Sequence, residues 1–308
     1  MTLKMTRSLN IRALMLVFFV GCHGSMVSAQ SNGITVLSDL AYGEAADQLM
    51  DVYLPADAAE GAPVLFMVHG GAWRMGDKAS RSVVKHKVAH WVGRGFVLVS
   101  VNYRMLPDAQ PLEQAEDVTQ ALIFAQENAA QWGGSPNRFV LMGHSAGAHL
   151  VSLVSARQDS AVRAWLGTVA LDSAAYDVEA IMRAESPQRL YREAFGPDPD
   201  SWRDASPLHV LASRLPPFLA VCSATRKDNP CAQAHAFLDK AKGYGTPTQL
   251  LALDLSHRKI NTELGSDACY TLEVDRFIGQ LDPRIQSMLA GHYTAREQRR
   301  IQRRCPPA

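Results

Sequence analysis

The chain has few cysteines, little net charge and no long uninterrupted apolar run. Five cysteines in 308 residues are too few for a small domain held together mainly by disulfides. The formal net charge is only +1, and the body of the chain is mildly acidic, whereas nucleic-acid binding requires a basic surface. No apolar run reaches the roughly 20 residues of a membrane helix, so we expect a globular protein with no transmembrane span. The charge gives no support for a nucleic-acid partner, and the motifs described below predict a small-molecule partner.

The first 29 residues have the pattern of an export signal. Three basic residues precede an apolar run from residue 13 to residue 20, and small residues follow as far as Ala29. Acylation at Cys22 as a lipoprotein is the alternative, but Phe19 fits poorly where an aliphatic residue is expected. Export predicts a periplasmic or extracellular protein whose later cysteines can form disulfides. Their pairing stays open among Cys222, Cys231, Cys269 and Cys305.

Strand-like and helix-like segments alternate along residues 30–283. This alternation predicts one α/β domain with a mostly parallel central sheet and helices on both faces, in which the first two strands form an antiparallel hairpin. Residues 175–213 contain four prolines and predict a small cap insertion, and residues 284–308 predict a basic tail. The predicted strands are 34–40, 48–54, 64–68, 96–101, 139–142, 166–171, 218–222 and 249–255, and the predicted helices are 80–93, 111–132, 146–157, 231–242 and 267–281.

A glycine–serine–glycine motif follows one of these strands. The segment 143–147, Gly-His-Ser-Ala-Gly, comes directly after the predicted strand 139–142 and opens a predicted helix. This is the G-x-S-x-G nucleophile elbow in its strand–turn–helix context. The glycines permit a sharp turn, which places the serine at a helix N-terminus, where the helix dipole favours developing negative charge. The motif therefore predicts Ser145 as a nucleophile.

A second glycine-rich segment predicts an oxyanion hole. Residues 69–73, His-Gly-Gly-Ala-Trp, follow the predicted strand 64–68 and have the form of the HGGG-type loop. Alanine in place of the third glycine is tolerable because backbone N–H groups supply the hydrogen bonds. The predicted donors are the N–H groups of Gly71, Ala72 and Ala146.

The base and the acid are predicted from chain order. His257 follows the last predicted strand, where this fold places the histidine that accepts the proton of the serine. Asp228 follows the preceding strand and precedes His257 by an interval that accommodates one helix and one strand. We therefore predict Asp228 as the acid, with Asp172, one strand earlier, as the alternative.

The other histidines are predicted to have structural roles. His144 and His149 flank the nucleophile and are expected to pack or to form hydrogen bonds. His86 and His90 lie four residues apart on a predicted helix, but no third ligand or H-E-x-x-H pattern accompanies them, which favours a solvated helix face over a metal site. No metal and no cofactor are expected, because hydrolysis through an acyl-enzyme needs neither.

Four segments carry a family resemblance: residues 69–73 (HGGAW), 101–104 (VNYR), 114–118 (QAEDV) and 143–150 (GHSAGAHL). Over about residues 52–281 the chain resembles the α/β-hydrolase fold serine esterases, in the carboxylesterase branch near hormone-sensitive lipase, feruloyl-esterase-like enzymes and arylformamidases. The resemblance implies ester hydrolysis by a Ser-His-Asp triad, and a structural role for Asp117. The short, proline-interrupted segment 175–213 offers little apolar surface for a long acyl chain, which predicts short-chain or aryl esters as substrates. An arylformamidase-type amide hydrolase and a non-catalytic binding protein on the same fold are the alternatives.

Overall fold

The computed structural model describes residues 28–31, 33–56 and 60–291, and a single mixed sheet organises them. The strands are β1 (Ser28–Ser31), β2 (Ile34–Ala41), β3 (Leu49–Leu54), β4 (Ala62–Val68), β5 (Val97–Val101), β6 (Gly134–His144), β7 (Gly167–Leu171), β8 (Phe218–Ser223) and β9 (Thr248–Leu253). Their spatial order is β1-β2-β3-β5-β4-β6-β7-β8-β9. Strands β4 to β9 are parallel to one another, whereas β1 pairs with β2, β2 with β3 and β3 with β5 in antiparallel fashion. The predicted mostly parallel sheet and its N-terminal hairpin are confirmed.

Helices connect the parallel strands. They are α1 (Arg81–Trp91), α2 (Pro111–Asn128), α3 (Ala146–Arg157), α4 (Val178–Met182), α5 (Arg189–Phe195), α6 (Pro199–Asp204), α7 (Pro207–Val210), α8 (Pro230–Gly243), α9 (His257–Thr262), α10 (Ala268–Leu281) and α11 (Pro283–Ala290). Short 3₁₀ turns, Val92–Arg94 and Ala129–Trp132, extend α1 and α2. Local sequence sets several boundaries: Gln110 and Glu113 form a capping box at the start of α2, with Pro111 in its first turn.

The centre of the sheet is buried on both faces. Strand β4 has no exposed residue, and its side chains alternate between two apolar cores, as the period of a strand requires. Phe66 and Val68 belong to the core that contains α2 and α3, whereas Leu65 and Met67 belong to the core that contains α1 and α10. Coverage on both faces explains why this strand is a continuous apolar run.

The folded domain extends beyond its predicted C-terminal boundary. The predicted boundary after residue 283 is wrong, because Arg284 lies within α11, a helix that packs on α10 and buries Ile285 and Leu289. The rest of the predicted tail, from residue 292, lies outside the described residues. So does most of the predicted export signal, whose expected end at Ala29 falls within β1. Within the described ranges, no helix has the length and apolar character of a membrane span.

Candidate active site

Ser145 lies in the sharp turn between β6 and α3. Its backbone is left-handed, with φ at 56°, and the two glycines of the motif make the turn sterically possible. A Cβ on Gly143 would lie 2.2 Å from the carbonyl oxygen of Gly147, and a Cβ on Gly147 would lie 2.3 Å from that of Val68. Larger residues at either position would push the turn apart, so the structure places the serine as the motif predicts.

A line of hydrogen bonds leads from this serine to a buried carboxylate. Nε2 of His257 lies 2.9 Å from Oγ of Ser145, and Nδ1 of His257 lies 2.7 Å from Oδ2 of Asp172. His257 is the first residue of α9, and Asp172 directly follows β7. Because the carboxylate can only accept, Nδ1 carries the proton, which leaves Nε2 free to accept the proton of the serine.

The prediction that Asp228 contacts the histidine is wrong, and the alternative, Asp172, occupies that position. Strand β7 lies next to β6 in the sheet, so the first residue after β7 is already beside the serine turn, where the N–H of Ser145 donates to the carbonyl of Leu171. The carboxylate of Asp228 instead accepts hydrogen bonds from Nε and Nη2 of Arg226. Chain order alone could not separate the two acids, because both follow parallel strands whose ends meet at one edge.

Asp172 is held as an anion although its side chain is fully buried. Burial by itself raises the pKa of Asp172, but hydrogen bonds from His257 and from the backbone of Ser223 and the charge of Arg226 outweigh it, so this pKa lies below its ordinary value. Both carboxylate oxygens of Asp172 accept hydrogen bonds. Oδ1 accepts from the N–H of Ser223 at 2.8 Å. Oδ2 accepts from Nδ1 of His257 at 2.7 Å and from Nη1 of Arg226 at 3.0 Å.

The loop that carries Arg226 is closed by a disulfide. Cys222 and Cys231 are bonded, with their Cα atoms 5.2 Å apart, and this is one of the pairings that the sequence left open. The bond joins the end of β8 to the start of α8 across the loop that presents Arg226 and Asp228 to the site. Sequence reasoning missed Arg226; its position two residues before an acid, in a loop between two cysteines, was the available signal.

The loop after β4 has an unusual backbone. Gly71, Ala72 and Trp73 all have positive φ, at 140°, 53° and 60°. A Cβ on Gly71 would lie 1.7 Å from the carbonyl oxygen of Met75, so this position requires glycine. Left-handed φ at a non-glycine residue costs of order 1 kcal/mol or more and persists only where surrounding contacts fix it. Gly71, Ala72 and Ala146 line the same cavity as Ser145; their role as oxyanion donors stays a prediction.

Trp73 supplies contacts that fix this loop. Its indole N–H donates to Nδ1 of His149 at 3.1 Å, and its ring packs edge-on against Phe195 of α5, with centroids 4.9 Å apart. His149 must therefore carry its proton on Nε2, which donates to the carbonyl of Ala205 at 2.7 Å. Burial lowers the pKa of His149 to about 4. The structural role expected for His149 is confirmed.

His144 and Lys87 support helix α9, which carries His257. The rings of His144 and His257 lie 4.6 Å apart, and Nε2 of His144 contacts the carbonyl of His257 at 3.1 Å. Burial and the neighbouring His257 lower the pKa of His144 to about 3, so it is neutral and donates this bond. The buried Nζ of Lys87 donates to the carbonyl and to Oδ1 of Asn261 at 2.8 and 2.9 Å, and so anchors α9; burial lowers the pKa of Lys87 to about 7.

Asp117 and His90 are buried and form hydrogen bonds with other parts of the fold. Asp117 is buried and accepts from the backbone and guanidinium of Arg104, as expected of a structural residue. His90 is not on a solvated face: it is buried and lies 2.8 Å from Oδ2 of Asp275. Within residues 28–31, 33–56 and 60–291, no group of three His, Cys, Asp or Glu side chains is arranged to hold a metal ion.

The serine opens into a cavity of about 790 Å³. Two exposed apolar side chains, Met75 and Leu190, line it, and Leu190 belongs to cap helix α5. The lining also includes the charged residues Arg226, Lys227 and Arg258. A serine, a histidine bonded to a carboxylate, and a backbone loop thus converge on one cleft large enough for a small organic molecule.

The geometry agrees with the relatives of this sequence. The BD-FAE family model matches residues 50–240. Esterase LipQ of Mycobacterium tuberculosis is 30% identical over 228 residues, which are 68% of this chain and 54% of that protein. Isoprenylcysteine alpha-carbonyl methylesterase ICME of Arabidopsis thaliana is 27% identical over 253 residues, 74% of this chain and 57% of that protein. The chain thus spans about half the length of these curated relatives.

Solved structures show the same fold. Esterase B from Lactobacillus rhamnosis superposes with a TM-score of 0.69 at 19% identity, over 85% of this chain and 91% of that chain. Esterase 2 of Thermogutta terrifontis superposes with a TM-score of 0.66 at 21% identity, over 82% of this chain and 96% of that chain. The fold is therefore that of the α/β-hydrolases, as the family resemblance implied. Since the family model also covers more than half of the sequence, including the serine turn and the glycine-rich loop, the chain belongs to the BD-FAE family.

Proposed function

We propose that this protein is an exported serine hydrolase that cleaves short-chain or aryl carboxylic esters through an acyl-enzyme. The observation that carries the proposal is the hydrogen-bonded line from Ser145 through His257 to Asp172. Named esterases among the relatives support the reaction class. In this proposal Asp172 replaces Asp228 as the acid of the triad.

The geometry is suited to acyl transfer. His257 takes the proton of Ser145 as the hydroxyl oxygen attacks the ester carbonyl, and Asp172 stabilises the imidazolium that forms. The N–H groups of Gly71, Ala72 and Ala146 are the proposed donors to the oxyanion. The protonated imidazole then donates to the departing alcohol, and water, activated by the same histidine, hydrolyses the acyl-enzyme.

The cap restricts substrate size. Helices α4–α7 are short, and the cavity of about 790 Å³ is of drug-molecule size and has the exposed apolar side chains Met75 and Leu190 in its lining. Each buried methylene contributes roughly 0.8 kcal/mol, so a pocket that buries few of them rewards a long acyl chain little. Short acyl and aryl esters are therefore the proposed substrates, in preference to long-chain triglycerides.

Export is part of the proposal. The basic, apolar and small-residue order of the first 29 residues is that of a signal peptide. The Cys222–Cys231 disulfide supports it, because disulfides persist mainly in oxidising compartments. Fractionation of cells producing the full chain, with N-terminal sequencing of the mature protein, tests this part; a cytoplasmic protein with an intact N-terminus would contradict it.

The test of the activity is a hydrolysis panel on purified protein and on Ser145→Ala. The panel spans acyl lengths, aryl esters, acetylated sugars and N-formyl aromatic amides, and a fluorophosphonate probe reports the nucleophile. We expect probe labelling and turnover of short or aryl esters, both lost in Ser145→Ala. Ser82→Ala is the matched control, because Ser82 lines the same cavity and has no proposed role.

Three outcomes would overturn parts of this proposal. Near-normal turnover by folded Ser145→Ala would remove Ser145 as the nucleophile. Faster cleavage of N-formyl amides than of any ester would indicate an arylformamidase. Absence of both labelling and turnover in the wild-type protein would favour a binding protein on the hydrolase fold.

A further inference from the structure

One charged group beside the proposed triad has no part in the mechanism described so far. The guanidinium of Arg226 lies between two carboxylates, the buried Asp172 and the half-buried Asp228. We propose that Arg226 is a positioning residue that keeps Asp172 ionised and fixed against His257, and that Asp228 holds Arg226 in that place. This inference rests on the proposed function.

The contacts use opposite ends of the guanidinium. Nη1 of Arg226 donates to the carbonyl and to Oδ2 of Asp172, at 2.9 and 3.0 Å. Nε and Nη2 donate to the two carboxylate oxygens of Asp228. This fork-to-carboxylate arrangement fixes the plane of the guanidinium, which a lysine ammonium cannot reproduce. Asp172 is thereby held by its backbone and its side chain through the same nitrogen.

A counter-ion is needed at Asp172 before the reaction begins. Its side chain has no solvent exposure, and a buried carboxylate without a partner charge takes up a proton instead of remaining ionised. The resting imidazole of His257 must be neutral to accept the serine proton, so it supplies no positive charge. Arg226 supplies that charge, and its own side chain is only 19% exposed.

The positive charge of Arg226 is unfavourable for protonation of His257, and Asp228 compensates for it. Nη1 of Arg226 lies 3.1 Å from Nδ1 of His257; both nitrogens donate to Asp172, so they are two donors sharing one acceptor. A positive charge at that distance opposes formation of the imidazolium. Asp228 offsets it: the two carboxylates and one guanidinium sum to a net charge of −1, which becomes zero when His257 is protonated during the reaction.

The loop around these residues is built to hold them. The Cys222–Cys231 disulfide closes it, and the Asn229 side chain caps the first turn of α8 directly after Asp228. These constraints reduce the backbone freedom of the loop that carries Arg226, so less backbone entropy is lost when its hydrogen bonds form. Asp228, the acid that follows β8, thus has a role in holding Arg226, whereas Asp172 is the acid that contacts His257.

The experiment compares Arg226→Lys, Arg226→Met, Asp228→Asn and the double variant Arg226→Met/Asp228→Asn. The matched control is Arg138→Met, which removes a partly exposed arginine paired with Asp282 outside the cavity-lining residues. For each protein, kcat and KM are measured on a neutral short-chain ester, and thermal melts establish that it is folded. A neutral ester is used so that direct attraction of substrate to Arg226 does not enter.

We expect Arg226→Met to lower kcat about a hundredfold with KM nearly unchanged, because Arg226 acts through Asp172 and His257 and not through substrate binding. Arg226→Lys keeps the charge and recovers about tenfold of that loss, a rescue that a purely structural role does not predict. Asp228→Asn lowers kcat several-fold. The double variant is no worse than Arg226→Met, because Asp228 acts through Arg226. Arg138→Met leaves both constants unchanged.

The failures are distinguishable. If folded Arg226→Met keeps wild-type kcat, or if its loss appears only in KM, Arg226 does not position the triad. If Arg226→Met does not fold, Arg226→Lys and Asp228→Asn decide: wild-type kcat in both overturns the inference, and a reduced kcat in both supports it. If the wild-type protein hydrolyses no ester, or if Ser145→Ala does so equally well, it is the proposed function that fails.

Discussion

The site differs on the two sides of Ser145: side chains form one side, and backbone groups form the other. On one side, the loops after β7, β8 and β9 bring together three charged side chains and a histidine. Asp172, Arg226, Asp228 and His257 form one network of hydrogen bonds. On the other side, the loop after β4 presents backbone in a left-handed conformation, fixed by aromatic packing around Trp73. We name these the histidine side and the oxyanion side.

The difference shows which property of a residue matters on each side. On the histidine side, charge and hydrogen-bonding capacity decide, because buried ions need partners. On the oxyanion side, the absence of a side chain decides, because Gly71 has no space for a Cβ. Different conservative substitutions are therefore damaging on the two sides: an isosteric change of charge on the histidine side, and a single added methyl group on the oxyanion side.

The largest effect is expected on the histidine side, from Asp172→Asn. The amide keeps the shape of the carboxylate but can hold the wrong tautomer of His257, and in a well-studied triad this change costs about four powers of ten in turnover. Steady-state kinetics on a short-chain ester check it, with circular dichroism and a thermal melt to establish folding. A larger loss in Asp228→Asn than in Asp172→Asn, at equal stability, would return the acid to the loop after β8.

A smaller effect is expected on the oxyanion side, from Gly71→Ala. The new Cβ would lie 1.7 Å from the carbonyl oxygen of Met75, so the loop must move and its N–H groups leave their positions. Loss of one oxyanion donor typically costs a factor of about 10² to 10³ in kcat. Gly243→Ala is the control, because a Cβ there meets nothing within 4 Å. Unchanged kcat in folded Gly71→Ala would show that this loop does not supply the donors.

The smallest effect is expected on stability rather than on activity: the free energy of unfolding should fall in acid because of His149 on the oxyanion side. Burial lowers the pKa of His149 to about 4, whereas an unfolded histidine titrates near 6.5. Below about pH 6.5 this histidine is protonated in the unfolded chain but stays neutral in the folded protein. The free energy of unfolding therefore falls as the pH falls towards 4, by up to about 3 kcal/mol from this residue.

The variant His149→Gln tests this pH dependence. Glutamine can still accept from the Trp73 indole and donate to Ala205, but it does not titrate. Denaturant unfolding at pH 7 and pH 4.5 should show a smaller loss of stability for this variant than for the wild type. His235→Gln is the control, because His235 is 65% exposed. An identical pH dependence of wild type and His149→Gln would contradict the assignment of a neutral, buried His149.

Elements with strong local signals were predicted well. Helix α3 begins and ends at the predicted residues, Ala146 and Arg157, because the strand–turn–helix motif fixes its start. Strand β6 begins at Gly134 instead of the predicted Phe139, since its first residues continue the sheet without an apolar run. His90 was predicted to face solvent and is buried, because Asp275 from the distant α10 supplies its hydrogen-bond partner.

The sequence by itself determined the alternation of strands and helices, the serine turn and the histidine after the last strand, because each follows from a local pattern with a local steric or periodic cause. Only the tertiary structure decided which acid contacts His257 and what the other acid does. That choice depends on the order of strands in the sheet, which places the end of β7 beside the serine turn. It also depends on Arg226, whose two carboxylate partners lie 54 residues and two residues from it in sequence and come together only when the sheet has formed.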